Sequence, residues 1–117
     1  MKHIYNQETR LKALKRDYMQ CQICGSRENW NVHHILYRSE AKECVNCLWN
    51  LITLCADCHT EVHSNKDKYQ PMLLRLVGGD NWFEKIDMSE LSDATKKTLN
   101  YCKESQNRIC QSDIIEL

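Results

Sequence analysis

Asn50-Leu51-Ile52-Thr53-Leu54-Cys55-Ala56-Asp57-Cys58-His59 is the stretch from which the rest of the chain can be read. Leu51 to Leu54 is apolar and carries β-branched residues, as a short buried strand does. Cys55-Ala56-Asp57-Cys58 follows without a gap, and Asp57 is placed to cap a helix carrying Glu61, Val62 and His63. Upstream lies a second C-x-x-C pair, Cys21-Gln22-Ile23-Cys24, followed by Gly25, which gives the backbone freedom a tight knuckle needs. Between the pairs, Trp30 to Ile35 predicts another short strand containing the adjacent His33 and His34. The order is strand, loop, strand, helix, with cysteine knuckles at its base.

Two C-x-x-C pairs predict the halves of one tetrahedral zinc site, each placing two sulfurs about 2.3 Å from the ion. Cys21, Cys24, Cys55 and Cys58 are the expected ligands, because Cys55 and Cys58 sit between a strand and a helix. Cys44 and Cys47 form a competing pair at a compatible spacing, and are otherwise two reduced thiols in the loop between the strands. Four thiolates close a structural site and release the histidines for other work. His33 and His34 are neighbours in an extended segment, so their side chains diverge. His59 and His63 are four apart on a helix and share a face, a spacing that brings two imidazoles to one ion. The alternative is that His59 or His63 replaces a cysteine, giving a zinc site of three thiolates and one imidazole.

The remaining chain sets bounds. With 117 residues, one Phe and three Trp, it has room for one modest core that a structural metal would help to hold. Net charge is zero. Positions 1–42 nevertheless carry eight Lys or Arg against four acids, and positions 80–117 carry five against eight. A basic front facing phosphates and an acidic tail turned away would produce that asymmetry, as would ordinary solvated helix faces. No apolar run is long enough for a membrane span, and the first residues do not resemble a signal peptide. A cytoplasmic setting is expected, where paired cysteines bind metal more often than they form disulfides. A secreted disulfide scaffold is the rival. Helices are predicted over 7–19, from Pro71 to Gly78-Gly79, over 80–86 and over 92–106, with a polar linker at 64–69. Ile4, Leu11, Leu14 and Tyr18 are the expected apolar face of the first helix. Leu91, Ala94, Thr98, Tyr101 and Cys102 are that of the last, and Cys102 and Cys110 read as structural.

Cys21-x-x-Cys24, His33-His34-Ile35, Asn50-Leu51-x-x-Leu54-Cys55-x-x-Cys58-His59 and His63 together resemble the HNH endonuclease family, in its zinc-bound phage, restriction and homing forms. The resemblance spans Cys21 to His63. It implies a ββα-metal finger and hydrolysis of DNA phosphodiesters to 5′-phosphate and 3′-hydroxyl ends. It assigns His34 as general base, His33 and His59 as ligands of one catalytic divalent ion, and His63 as a further ligand or phosphate contact. Asn50 would brace the loop that aims His34. The stretch from Leu36 to Trp49 departs from the family in lacking glycine and carrying two cysteines. His33 stands where many members have Asp, and a neutral imidazole suits Zn²⁺, Ni²⁺ or Mn²⁺ better than Mg²⁺.

The expected fold class is therefore α+β: a small ββα-metal finger clamped by a four-cysteine zinc site, with an N-terminal helix and a helical tail. Positions 1–69 are expected to form the nuclease domain. Positions 70–117 are expected to form a helical extension that packs on or next to it, is dispensable for chemistry but not necessarily for stability or targeting, and offers a surface to a protein partner or a second copy. A catalytically silent zinc module that binds nucleic acid or protein is the alternative function.

Overall fold

The computed structural model describes residues 4–116, with side chains described for residues 4–105; Cys110 therefore lies outside the described side chains. Helix α1 (Gln7–Arg16) opens the chain, capped by Asn6, whose side chain accepts from the Thr9 N–H. Strands β1 (Trp30–His34) and β2 (Leu51–Cys55) form an antiparallel pair with His33 opposite Ile52 and His34 opposite Leu51. Helix α2 (Ala56–Ser64) leaves β2 directly, and α3 (Lys66–Gly78) follows after Asn65 alone. Two 3-10 turns, Trp82–Lys85 and Met88–Glu90, lead to α4 (Asp93–Glu116). The architecture is α+β, as the residue patterns predict.

A two-stranded sheet is marginal alone in water. Here every residue of β2 is buried, because α1, α2 and α3 all pack on it. The core gathers Ile35 and Leu36 after β1, Ile52 and Leu54 of β2, Val62 of α2, and Leu73 and Leu74 of α3. Trp82, Ile86, Leu99 and Cys102 belong to the same cluster. A buried polar node ties α1 to the sheet. The Asp17 carboxylate accepts from the Thr53 N–H at 2.9 Å and from Arg16 Nε at 2.8 Å. The Arg16 guanidinium also donates to the carbonyls of Leu48 and Leu51.

Several local expectations give way to packing. α1 ends at Arg16, since Tyr18 and Met19 adopt left-handed backbone, and its inward face is Ala13 and Leu14; Leu11 and Tyr18 are exposed. The cap of α2 is Cys55 and not Asp57, with Cys55 Sγ accepting from the Cys58 N–H at 3.5 Å. The expected polar linker is largely helical: α3 starts at Lys66, which places Pro71 inside the helix, not in its first turn. A proline there removes one helical hydrogen bond and crowds the preceding turn. Burial of Pro71, Leu73 and Leu74 against the core offsets that cost. The expected helix at 80–86 is only the 3-10 turn Trp82–Lys85. Among the described side chains of α4 the buried ones are Thr95, Leu99 and Cys102, so the helix is rotated from the face marked by Ala94, Thr98 and Tyr101.

Gly78 does have a packing reason: a Cβ there would lie 2.6 Å from Trp82 Cβ. Among the described residues, no helix is long and apolar enough to cross a membrane.

Candidate metal centres and nuclease site

The two C-x-x-C knuckles meet. The Sγ atoms of Cys21, Cys24, Cys55 and Cys58 all lie within 4.8 Å of one another, and Cys24 and Cys55 approach to 3.6 Å. Four sulfurs about 2.3 Å from one tetrahedral ion would stand about 3.8 Å apart, so the cluster can hold a zinc-like metal. Local backbone builds it. The Cys21 N–H donates to the Ser26 carbonyl at 2.8 Å, and Gly25, at φ +82°, donates back to the Cys21 carbonyl at 2.9 Å. Burial pushes the Cys21 thiol up, but the backbone N–H groups of Cys24, Cys55 and Ile23 outweigh it and bring the thiol down to about 6. That favours the thiolate a metal needs. Cys44 and Cys47 are outside this cluster, and the described cysteines are all free thiols.

A second group forms where the end of β1 faces α2. Nitrogens of His33, His59 and His63 also lie within 4.8 Å of one another, with His59 Nε2 and His63 Nε2 at 3.0 Å. One helical turn separates those two, and the α2 face they share opposes His33 on β1. His33 Nε2 is buried without a hydrogen-bond partner. An orphaned imidazole nitrogen is costly unless something else binds it, and a metal ion would. Burial, and then the nearness of His59, His63 and His34, lowers His33 to about 3, so it stays neutral, the ligating form. The donor set is three imidazoles, which suits a borderline transition metal.

His34 lines the same cavity from the other side of β1. Its Nε2 lies 3.1 Å from the Val45 carbonyl, and its ring meets that of Tyr5 edge to face at 4.6 Å. With Nε2–H donating to Val45, the Nδ1 lone pair is free. Burial lowers the His34 pKa against the opposing pull of the Val45 carbonyl, and Arg38 lowers it further. Asn50 is fully buried and staples the loop between the strands. Its Oδ1 accepts from the Leu36 N–H at 2.7 Å, and its Nδ2 donates to the carbonyls of Leu36 at 3.2 Å and Cys44 at 3.1 Å. Three hydrogen bonds of this one side-chain amide thus hold the glycine-free loop closed without any special turn residue.

Residues 21–65 match the HNH endonuclease family. The matched stretch is thus similar to a family of nucleases that act on DNA with divalent metals. A stretch of 50 residues is also 40% identical to part of the mitochondrial DNA mismatch repair protein mutS homolog of Sarcophyton glaucum. That similarity covers 39% of this chain and only 5% of the relative's length. No solved structure matches the chain.

Two residues around the HNH histidines were not legible as site residues from spacing. Tyr37 and Arg38 both line the histidine cavity. Their signal was position alone: an aromatic and a base directly after His33-His34-Ile35-Leu36.

Proposed function

We propose that the chain is a metal-dependent DNA endonuclease in which His34 is the general base and His33, His59 and His63 hold one catalytic divalent ion. The observation that carries this reading is the convergence of His34 and the three-imidazole cluster on one open cavity. His34 Nδ1 takes the proton of the attacking water, while the Val45 carbonyl keeps the ring in the tautomer that leaves Nδ1 basic. Asn50 fixes Leu36 and Cys44 on either side of the loop, and so indirectly the Val45 carbonyl that aims the ring. Arg38, at the cavity wall beside His34, anchors the phosphate. When bound, the divalent ion supplies charge stabilisation at the scissile phosphate and the leaving oxygen. The thiolate cluster holds a separate structural zinc.

Zn²⁺, Ni²⁺ and Mn²⁺ suit the imidazoles better than Mg²⁺. DNA as substrate is supported by the family match and by the relative's name in DNA mismatch repair. Positions 1–69 carry the nuclease and 70–117 pack on it, leaving Leu76 and Tyr101 exposed for a protein partner or second copy. The pairing of Cys21, Cys24, Cys55 and Cys58 as metal ligands supports a reducing, cytoplasmic setting. The test is purified protein on supercoiled plasmid with Mg²⁺, Mn²⁺, Ni²⁺ or Zn²⁺, against EDTA. Relaxed or linear product that EDTA abolishes is expected. DNA binding with no cleavage under any metal would leave a silent zinc module as the better account.

A further inference from the structure

Of the three imidazoles in the cluster, His33 is buried and fixed by its strand, whereas His63 is exposed near the end of α2. An exposed ligand with free χ angles loses rotamer entropy on binding and can present either tautomer. Its Nε2 faces His59 Nε2 at 3.0 Å, so Nε2 is the atom turned toward a shared ion. A neutral imidazole then carries its proton on Nδ1, which needs an acceptor. Nδ1 lies 3.1 Å from the Tyr37 hydroxyl.

Tyr37 is itself held on three sides. Its ring lies tilted against His63 at 5.1 Å and edge-on to His33 at 6.0 Å. Lys66 Nζ stands over the ring, 4.8 Å from its centroid. The Tyr37 N–H donates to Glu40 Oε1 at 2.8 Å. Glu40 is clamped in turn by Lys66 at 2.9 Å and by Gln70 at 2.7 Å, both from α3. Gln70 also reaches the Ile35 carbonyl at 3.0 Å, just beyond β1.

We propose that Tyr37 is the positioning residue of the histidine centre: its hydroxyl accepts the Nδ1–H of His63, fixing the tautomer and ring angle that offer Nε2 to the ion. This rests on the reading of His33, His59 and His63 as the metal site. Metal-ligating histidines commonly give their second N–H to a carboxylate, carbonyl or water. A phenol does the same without adding negative charge. With three neutral ligands and a neutral orienter, the ion's full charge is directed at the phosphate that must enter the same cavity. Glu40, the nearest carboxylate in this network, is turned away onto Lys66 and Gln70.

The experiment titrates Ni²⁺ calorimetrically into full-length protein carrying one equivalent of zinc, in the wild type, Tyr37→Phe, His63→Ala, the double variant and His59→Ala. Phe keeps the ring against Lys66 and the imidazoles, and zinc content and melting temperature check that the fold is retained. Tyr37→Phe should weaken Ni²⁺ binding about 10- to 100-fold, the usual effect of losing such a partner. The double variant should bind no more weakly than His63→Ala alone, because the hydroxyl acts only through that ring. Binding by Tyr37→Phe within about twofold of wild type, or losses that multiply in the double variant, would overturn the proposal. Unchanged binding by His59→Ala, or no Ni²⁺ binding by the wild type, would overturn the metal reading and the role of Tyr37 with it.

Discussion

At the scale of single residues, the site separates three kinds of chemistry that lie close in sequence. Cys58 and His59 are adjacent, yet one turns to the sulfur cluster and the other to the imidazole cluster, because successive helical side chains diverge by about 100°. His33 and His34 are likewise split by the alternation of a strand. Substituting them should therefore give distinguishable losses. His34→Ala is expected to lower plasmid nicking at least ~10²-fold, the lower end of general-base contributions, with zinc content and DNA affinity near wild type. No added metal should restore it. His59→Ala should also lose cleavage but recover part of it in excess Mn²⁺, since it weakens a ligand set and leaves the base in place. Full nicking by folded His34→Ala would remove the base assignment. The sulfurs behave differently. Cys21→Ser or Cys58→Ser should release zinc and lower the melting temperature sharply, because metal binding is coupled to folding in small domains. Cys44→Ser, outside the cluster, should retain one equivalent of zinc by metal analysis.

At the scale of elements, the loop between the strands is held from outside as well as by Asn50. Glu43, in the 3-10 turn Lys42–Cys44, accepts from the Ser92 N–H at 2.9 Å and the Thr95 hydroxyl at 2.8 Å, tying the loop to the start of α4. Burial opposes the charged form of Glu43, but these donors outweigh it and lower the carboxyl to about 2 from its ordinary 4.5. A depressed acid stabilises the fold fully above its unfolded pKa and loses that contribution as pH falls toward its folded one. The contribution should thus be present above about pH 4.5 and fade toward pH 2, and be on the order of 1 kcal/mol, as for a hydrogen-bonded charge exposed on one side. Melting temperatures of wild type and Glu43→Gln compared at each pH would show it, acid release of zinc being common to both. A gap between the two that does not narrow below pH 4 would discount the interaction.

For the whole molecule, the core crosses from the stretch that matches the HNH family into the helices that follow. Leu73, Leu74, Trp82, Ile86, Leu99 and Cys102 share one buried cluster with Ile35, Leu36, Ile52 and Leu54. Each large apolar side chain buried contributes roughly 1.5–3 kcal/mol, against a typical total stability of about 5–15 kcal/mol. A chain ending at Tyr69 would therefore lose more burial than a domain of this size can spare. It is expected to melt without a cooperative transition by circular dichroism, or to elute as aggregate. It also lacks Gln70, one of the two clamps on Glu40. A truncated chain that melts cooperatively and nicks plasmid would show that the finger is self-sufficient.

What the sequence by itself determined is everything carried by short-range spacing. Two C-x-x-C pairs, adjacent histidines before a loop, and two histidines one helical turn apart constrain side-chain direction within an element, and the strand–loop–strand–helix order follows from local periodicity. Leu14 was legible as an inward residue of α1, but the rotation of α1 and α4 was not, because several apolar residues lie on more than one plausible face and only contact with the sheet and core selects Ala13 over Leu11 and Tyr18, or Leu99 over Tyr101. Nor was the early start of α3: the polar residues from Lys66 to Tyr69 read as linker until Lys66, with Gln70 one turn on, is seen holding Glu40. The tertiary structure alone brought Tyr37 to His63, 26 positions away, and the Val45 carbonyl to His34. Such pairings depend on how a loop closes over a sheet. That closure is set by the buried amide of Asn50 and a core drawn from separate segments of chain, distances to which no local pattern is sensitive.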